Sequence, residues 1–122
     1  MSENHDDWGE AEMDAAMLEQ YQELRRQYVG EAPARLAELR EDLAACRAHE
    51  EAALEALRTC FHQLAGSGGS YGFPAITTAS REAEQWIGEH PSPGQADYEF
   101  LEGAIGRIAE AFQAAREVIG GQ

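Results

Sequence analysis

His62 stands in a stretch of chain that lacks every charged side chain. From Thr59 to Ser80 there is no Asp, Glu, Lys or Arg, although 26% of the residues are charged. The segment around it reads Phe61-His62-Gln63-Leu64-Ala65-Gly66-Ser67-Gly68-Gly69-Ser70-Tyr71-Gly72-Phe73, one imidazole followed by small neutral residues. Other residues that could do chemistry form weaker patterns. Cys46 and Cys60 are 14 positions apart with no CxxC pair, so they read as reduced, structural thiols of a cytoplasmic protein. A metal set of Cys46, His49, Cys60 and His62 lacks a ligand spacing, and no metal is expected. Gly68-Gly69-Ser70-Tyr71-Gly72 matches GxSxG literally, yet that elbow needs a preceding strand and a triad, and this one follows a helical pattern. Tyr71 breaks a dinucleotide fingerprint, and a P-loop would need a Lys. His5, His49 and His90 read as a tail residue and two loop residues.

Helices must position this ring. Met17, Tyr21, Leu24, Tyr28, Ala32, Leu36, Leu39, Leu43 and Cys46 recur at intervals of three or four, in a phase unbroken through Gly30 and Pro33. One long helix kinked at Pro33 is expected, with a break near Gly30 as the alternative. A second helix from about Glu50 buries Leu54, Leu57, Phe61 and Leu64. A third starts after Pro74 and buries Ile76, Ala79, Ala83 and Trp86 or Ile87. Glu89-His90-Pro91-Ser92-Pro93-Gly94 stops it. A last helix carries Phe100, Leu101, Ala104, Ile105, Ile108, Phe112, Ala115 and Ile119. The expectation is all-α: an antiparallel up-and-down four-helix bundle over residues 14–119. A polar leader of residues 1–13 precedes it as an N-terminal extension, with Trp8 able to fold back onto the body. On the second helix His62 falls roughly 120° from the centre of the apolar stripe, on a flank open to a partner.

Composition narrows the partners. The 122 residues carry a net charge of −14, and all nine basic side chains are Arg. That charge opposes binding to nucleic acid or to anionic membranes. No apolar run approaches the roughly 20 residues of a membrane span, and the acidic N-terminus does not read as a secretory signal.

The His62 segment resembles the phosphoacceptor segment of histidine-containing phosphotransfer (HPt) domains, including those of chemotaxis-type kinases. Their pattern is His-x-Leu/Ile-Lys-Gly-x-x-x-x-aromatic-Gly-Phe. His62, Leu64, Gly66, Tyr71, Gly72 and Phe73 match it at the same spacing, and Ala65 stands where most members have Lys. Tyr28 to Leu43 resembles the aromatic-x-x-x-Ala-Pro-x-x-Leu-x-x-Leu stretch that precedes it, so the likeness spans roughly residues 14–119. The resemblance implies that His62 is the phosphoacceptor, attacking through Nε2 a phosphoaspartate of a response-regulator receiver domain and later returning the group to another receiver. A sensor histidine kinase is the other implied partner. It also implies a phosphocarrier and not an enzyme, a monomer without cofactor, and Mg²⁺ supplied by the receiver. The helix should continue past Gly66 to about Ser70, although local rules place a C-cap at Gly66. Arg58, one turn before His62, is the candidate substitute for the missing cation, and Gln63 a candidate hydrogen-bond donor to the phosphoryl group. The uncharged Ala65-Gly66-Gly69 surface is the candidate docking face. Two rival readings stand beside this one: a helical module that binds a receiver without being phosphorylated, and the amino-terminal domain of a larger kinase.

Overall fold

Residues 3–120 are described by the computed structural model, with side chains from Asp14 onward. The side chains of the leader, and the folding back of Trp8, lie outside the described residues. Five α-helices follow in order: α1 (Glu3–Gly30), α2 (Ala32–Arg47), α3 (Ala53–Ser70), α4 (Pro74–Glu89) and α5 (Tyr98–Gly120), the last preceded by a 3₁₀ turn at Gln95–Asp97. No strand occurs among the described residues.

The first long apolar stripe is divided, and the break falls at Glu31. Pro33 has no N–H to give to Val29, so one helical hydrogen bond is lost there whatever the chain does. The flanking bonds survive: Glu31 N–H reaches Gln27 O at 3.1 Å and Arg35 N–H reaches Glu31 O at 3.1 Å. Two helices therefore follow nearly one phase, and Tyr28, Val29, Ala32, Leu39, Leu43 and Cys46 are all buried. The start of the stripe is corrected: Met17 is 59% exposed and Leu24 41%. Periodicity marks which face is apolar, not how much of it is covered: this early in α1 only Tyr21 of the stripe is half-buried, while Met17 and Leu24 stay exposed.

α3 begins at Ala53, after a turn in which His49 and Ala52 take left-handed backbone angles. It runs unbroken through Gly66 to Ser70. Pro74 opens α4, where its absent N–H leaves nothing unsatisfied. α3 packs against α2 and α4, and α5 closes the core against the same two helices. Leu39, Leu57, Phe61, Ile76, Leu101 and Ile108 are fully buried at its centre, each stabilising by roughly 1.5–3 kcal/mol. On α4, Ile87 is the buried member of the Trp86–Ile87 pair. Phe100 at the start of α5 is 40% exposed and stacks on Trp86 at 5.3 Å instead of entering the core.

Candidate functional site

His62 leaves α3 on the seam facing α4, and its side chain is 74% exposed. Phe61 and Leu64 on either side of it are buried and fix the helix rotation. Nδ1 of His62 lies 2.7 Å from Oε2 of Glu84 on α4. An ionised carboxylate can only accept, so the Nδ1 atom carries the proton in this pairing. In the neutral ring Nε2 then holds the lone pair, and it has no hydrogen-bond partner among the described residues. A shielded carboxylate behind an exposed nitrogen sets both the tautomer and the direction of the ring.

Glu84 was missed by sequence reasoning because it lies outside the neutral stretch. A signal was nevertheless present. α3 and α4 are joined by only Tyr71-Gly72-Phe73, so residues equally far from that connection stand level when the second helix returns along the first. His62 is nine residues before Tyr71 and Glu84 eleven after Phe73, level to within two residues.

The small residues after His62 sort into two groups. Gly68 is pressed against the start of α4, where a Cβ would stand 2.9 Å from Thr77 Oγ1 and 3.0 Å from Ile76 Cβ. Thr77 Oγ1 also donates to Ala65 O at 2.7 Å. Gly66 opens outward, with nothing within 4 Å of a Cβ built there. Gly69 is exposed, and a Cβ on it would meet Thr77 Oγ1 at 3.3 Å. Ala65 needs correction as a surface residue: it is only 5% exposed. The close approach that Gly68 permits brings α4 over the Ala65 methyl, so the exposed part of the expected docking face is Gly66 and Gly69.

The two other candidates point apart. Arg58 is half-buried on the α4 side, its guanidinium lying where a Cβ on Gly88 would be 3.1 Å from Nη2. Gly88 is one turn beyond Glu84, near the negative end of the α4 dipole. Gln63 turns the other way and lines a small cleft with Arg35, Glu38, Leu39 and Cys60, between α2 and α3. In that cleft Cys60 Sγ donates to Glu38 Oε1 and Asp42 Oδ2, both at 3.3 Å. Burial first, then these two carboxylates, push the Cys60 thiol up to about 12. Cys46 is buried and its thiol is also raised, chiefly by burial. Both cysteines are free.

An all-helical domain that offers one imidazole nitrogen to solvent, with its other nitrogen tied to a carboxylate, has the make-up of a group carrier. The family model described as Hpt domain matches residues 23–118, so the chain belongs to the Hpt domain family, whose members act in two-component phosphorelay signalling. Members of this family are phosphocarriers. No curated protein and no solved structure shows a significant match to the chain. No helix among the described residues is long and apolar enough to cross a membrane.

Proposed function

We propose that His62 is the phosphoacceptor of a cytoplasmic, monomeric phosphotransfer protein, and that α2 to α5 form an antiparallel four-helix bundle presenting it. The observation that carries this reading is the exposed His62 ring held through Nδ1 by Glu84, within a chain of the Hpt family. The Nε2 lone pair attacks the phosphorus of a receiver phosphoaspartate. The N–P bond forms as the acyl-phosphate O–P bond breaks, and the aspartate leaves as carboxylate. The ring gains positive charge by giving up its lone pair, and the Glu84 carboxylate beside Nδ1–H offsets it by a charge-assisted hydrogen bond. Transfer to a second receiver reverses these changes, and a sensor histidine kinase is the alternative donor. Mg²⁺ belongs to the receiver, where its charge acts on the phosphoaspartate, since phosphoryl transfer rests on positioning and electrostatics.

Gly66 and Gly69 form the docking face, where an absent side chain lets the receiver backbone come close. Arg58 supplies the cation that Ala65 lacks, by swinging from Gly88 toward the phosphoryl group, and Gln63 contributes an amide from the other side. Incubation with a phosphorylated receiver tests the reading. Label should appear on His62 alone, be acid-labile and base-stable, and vanish in His62→Ala without loss of helicity. Glu84→Gln should slow transfer about tenfold or more, because a charge-assisted bond of roughly 1.5–3 kcal/mol becomes a neutral one. A domain that binds the receiver but never takes label would be a docking module only, and the proposal would be wrong.

A further inference from the structure

The last three turns of α1 grip the far end of the helix that carries His62. Tyr21 Oη donates to Ser70 O at 3.0 Å, and Arg25 Nε donates to Tyr71 O at 3.0 Å. These carbonyls end α3, where no further turn exists to use them. Arg25 is itself braced: Nη1 donates to Gln22 Oε1 at 2.9 Å, and the guanidinium lies over the Phe73 ring at 4.7 Å. A cation at this end of α3 also suits its dipole. The third contact is Tyr28, which stacks on Tyr71 at 4.8 Å and hydrogen-bonds Ser67 Oγ at 2.8 Å. The held segment includes Gly72, at φ +80°, 3.3 Å from Tyr21 Oη to a Cβ built there.

We propose that Tyr21 and Arg25 are positioning residues for His62: they fix the α3–α4 connection and so the register in which His62 meets Glu84. The inference rests on His62 being the phosphoacceptor. Its mechanical basis is short. Ser70 lies eight residues beyond His62, about 12 Å along the helix, and Glu84 lies eleven beyond Phe73, about 16 Å. Two helices of that length behave as rods hinged at residues 71–73. A slip of about 1 Å at the hinge would lengthen the 2.7 Å His62–Glu84 bond beyond hydrogen-bonding distance. Thr77 and the Gly68 contact hold the rods together nearer the hinge, and α1 fixes the hinge itself. Tyr21 and Arg25 are half-buried and contribute little to the central core.

The test uses phosphoramidate and the whole chain, so no receiver is needed. In that reaction the imidazole N–P bond forms as the P–N bond of phosphoramidate breaks, with ammonia leaving. ³¹P NMR distinguishes Nε2-phosphohistidine from the Nδ1 isomer, and ¹⁵N shifts of His62 report the tautomer. The wild-type chain should give the Nε2 product. Tyr21→Phe combined with Arg25→Ala should slow its formation about fivefold, let the Nδ1 isomer appear, and move the ¹⁵N shifts toward a tautomer mixture, while circular dichroism stays native. Arg25→Lys, which keeps a donor for Tyr71 O, should recover most of the rate. If the double variant does not fold, Tyr21→Phe alone should shift the isomer ratio in the same direction. An unchanged rate, isomer ratio and ¹⁵N pattern in a folded variant would overturn the inference. A wild-type chain that takes no label on His62 would instead overturn the assignment of the acceptor.

Discussion

At His62 the useful property is the difference between its two nitrogens. Glu84 occupies Nδ1 at 2.7 Å and leaves Nε2 to solvent. The ring was legible from the neutral residues around it and from the spacing to Gly66 and Tyr71. The carboxylate was not, because an acidic residue on a helix reads as a solvated surface charge until the facing helix is known. Cys60 shows the same asymmetry. Its position in sequence suggests only a structural thiol, whereas the fold sets it against Glu38 and Asp42 and pushes its thiol up to about 12. Its thiolate is therefore scarce at pH 8, and alkylation by iodoacetamide should be far slower in the native chain than in the unfolded one, when mapped by peptide mass. Asp42→Asn should speed it without unfolding the protein. The linkage sign is that of a raised pKa: the stabilising contribution is complete below 9.0, the ordinary value of a free thiol, and is lost as pH rises toward about 12. A native Cys60 alkylating as fast as a free thiol would show that the two carboxylates do not hold the proton.

Helix by helix, the phase of the apolar residues located α3 to α5 and their buried faces, and the family pattern carried α3 past Gly66; the same phase merged α1 and α2 into one expected helix, which the structure divides at Glu31. Phase could not say where coverage begins, so Met17 and Leu24 were expected inside and lie outside. Nor could it separate glycines needed by a neighbouring helix from glycines left open, since both lack a side chain. The structure separates them. Gly68→Ala puts a methyl 2.9–3.0 Å from Thr77 and Ile76. The Ile76 Cβ is fixed to the α4 backbone, so the two helices must part. A loss of about 1–3 kcal/mol is expected. Gly66→Ala meets nothing and should raise stability by up to about 1 kcal/mol through helix propensity. Urea unfolding of the two variants checks the pair. Equal effects would mean that α3 and α4 are not in the close contact described.

Across the whole molecule, charge is the property that sets this domain apart. Twenty-three acidic residues against nine basic ones make the compact state self-repelling. Four of the five ion pairs described involve Arg, at separations from 2.8 to 3.8 Å, and all lie at the surface, where such pairs contribute about 0–1 kcal/mol each. Screening should relieve more repulsion than it weakens attraction. The thermal midpoint should therefore rise between about 20 and 300 mM NaCl, as the Debye length falls below about 10 Å. A midpoint that falls instead would mean that the Arg pairs outweigh the repulsion. This balance follows from composition alone, whereas the closing of the core by α5 needed the fold.

The three-residue connection between α3 and α4 has a consequence for the order of assembly. His62 and Glu84 are only 22 residues apart along the chain, whereas Arg25 and Tyr71 are separated by 46. Loop-closure entropy grows by about 0.6 kcal/mol for each doubling of length, so the nearer pair meets at the lower cost during folding. The pairing of His62 with Glu84 is thus set up by a local hairpin, and the grip of α1 arrives afterwards as a lock on a pair already drawn together. Pulsed hydrogen exchange during refolding should find amides of α3 and α4 protected before those between Tyr21 and Tyr28.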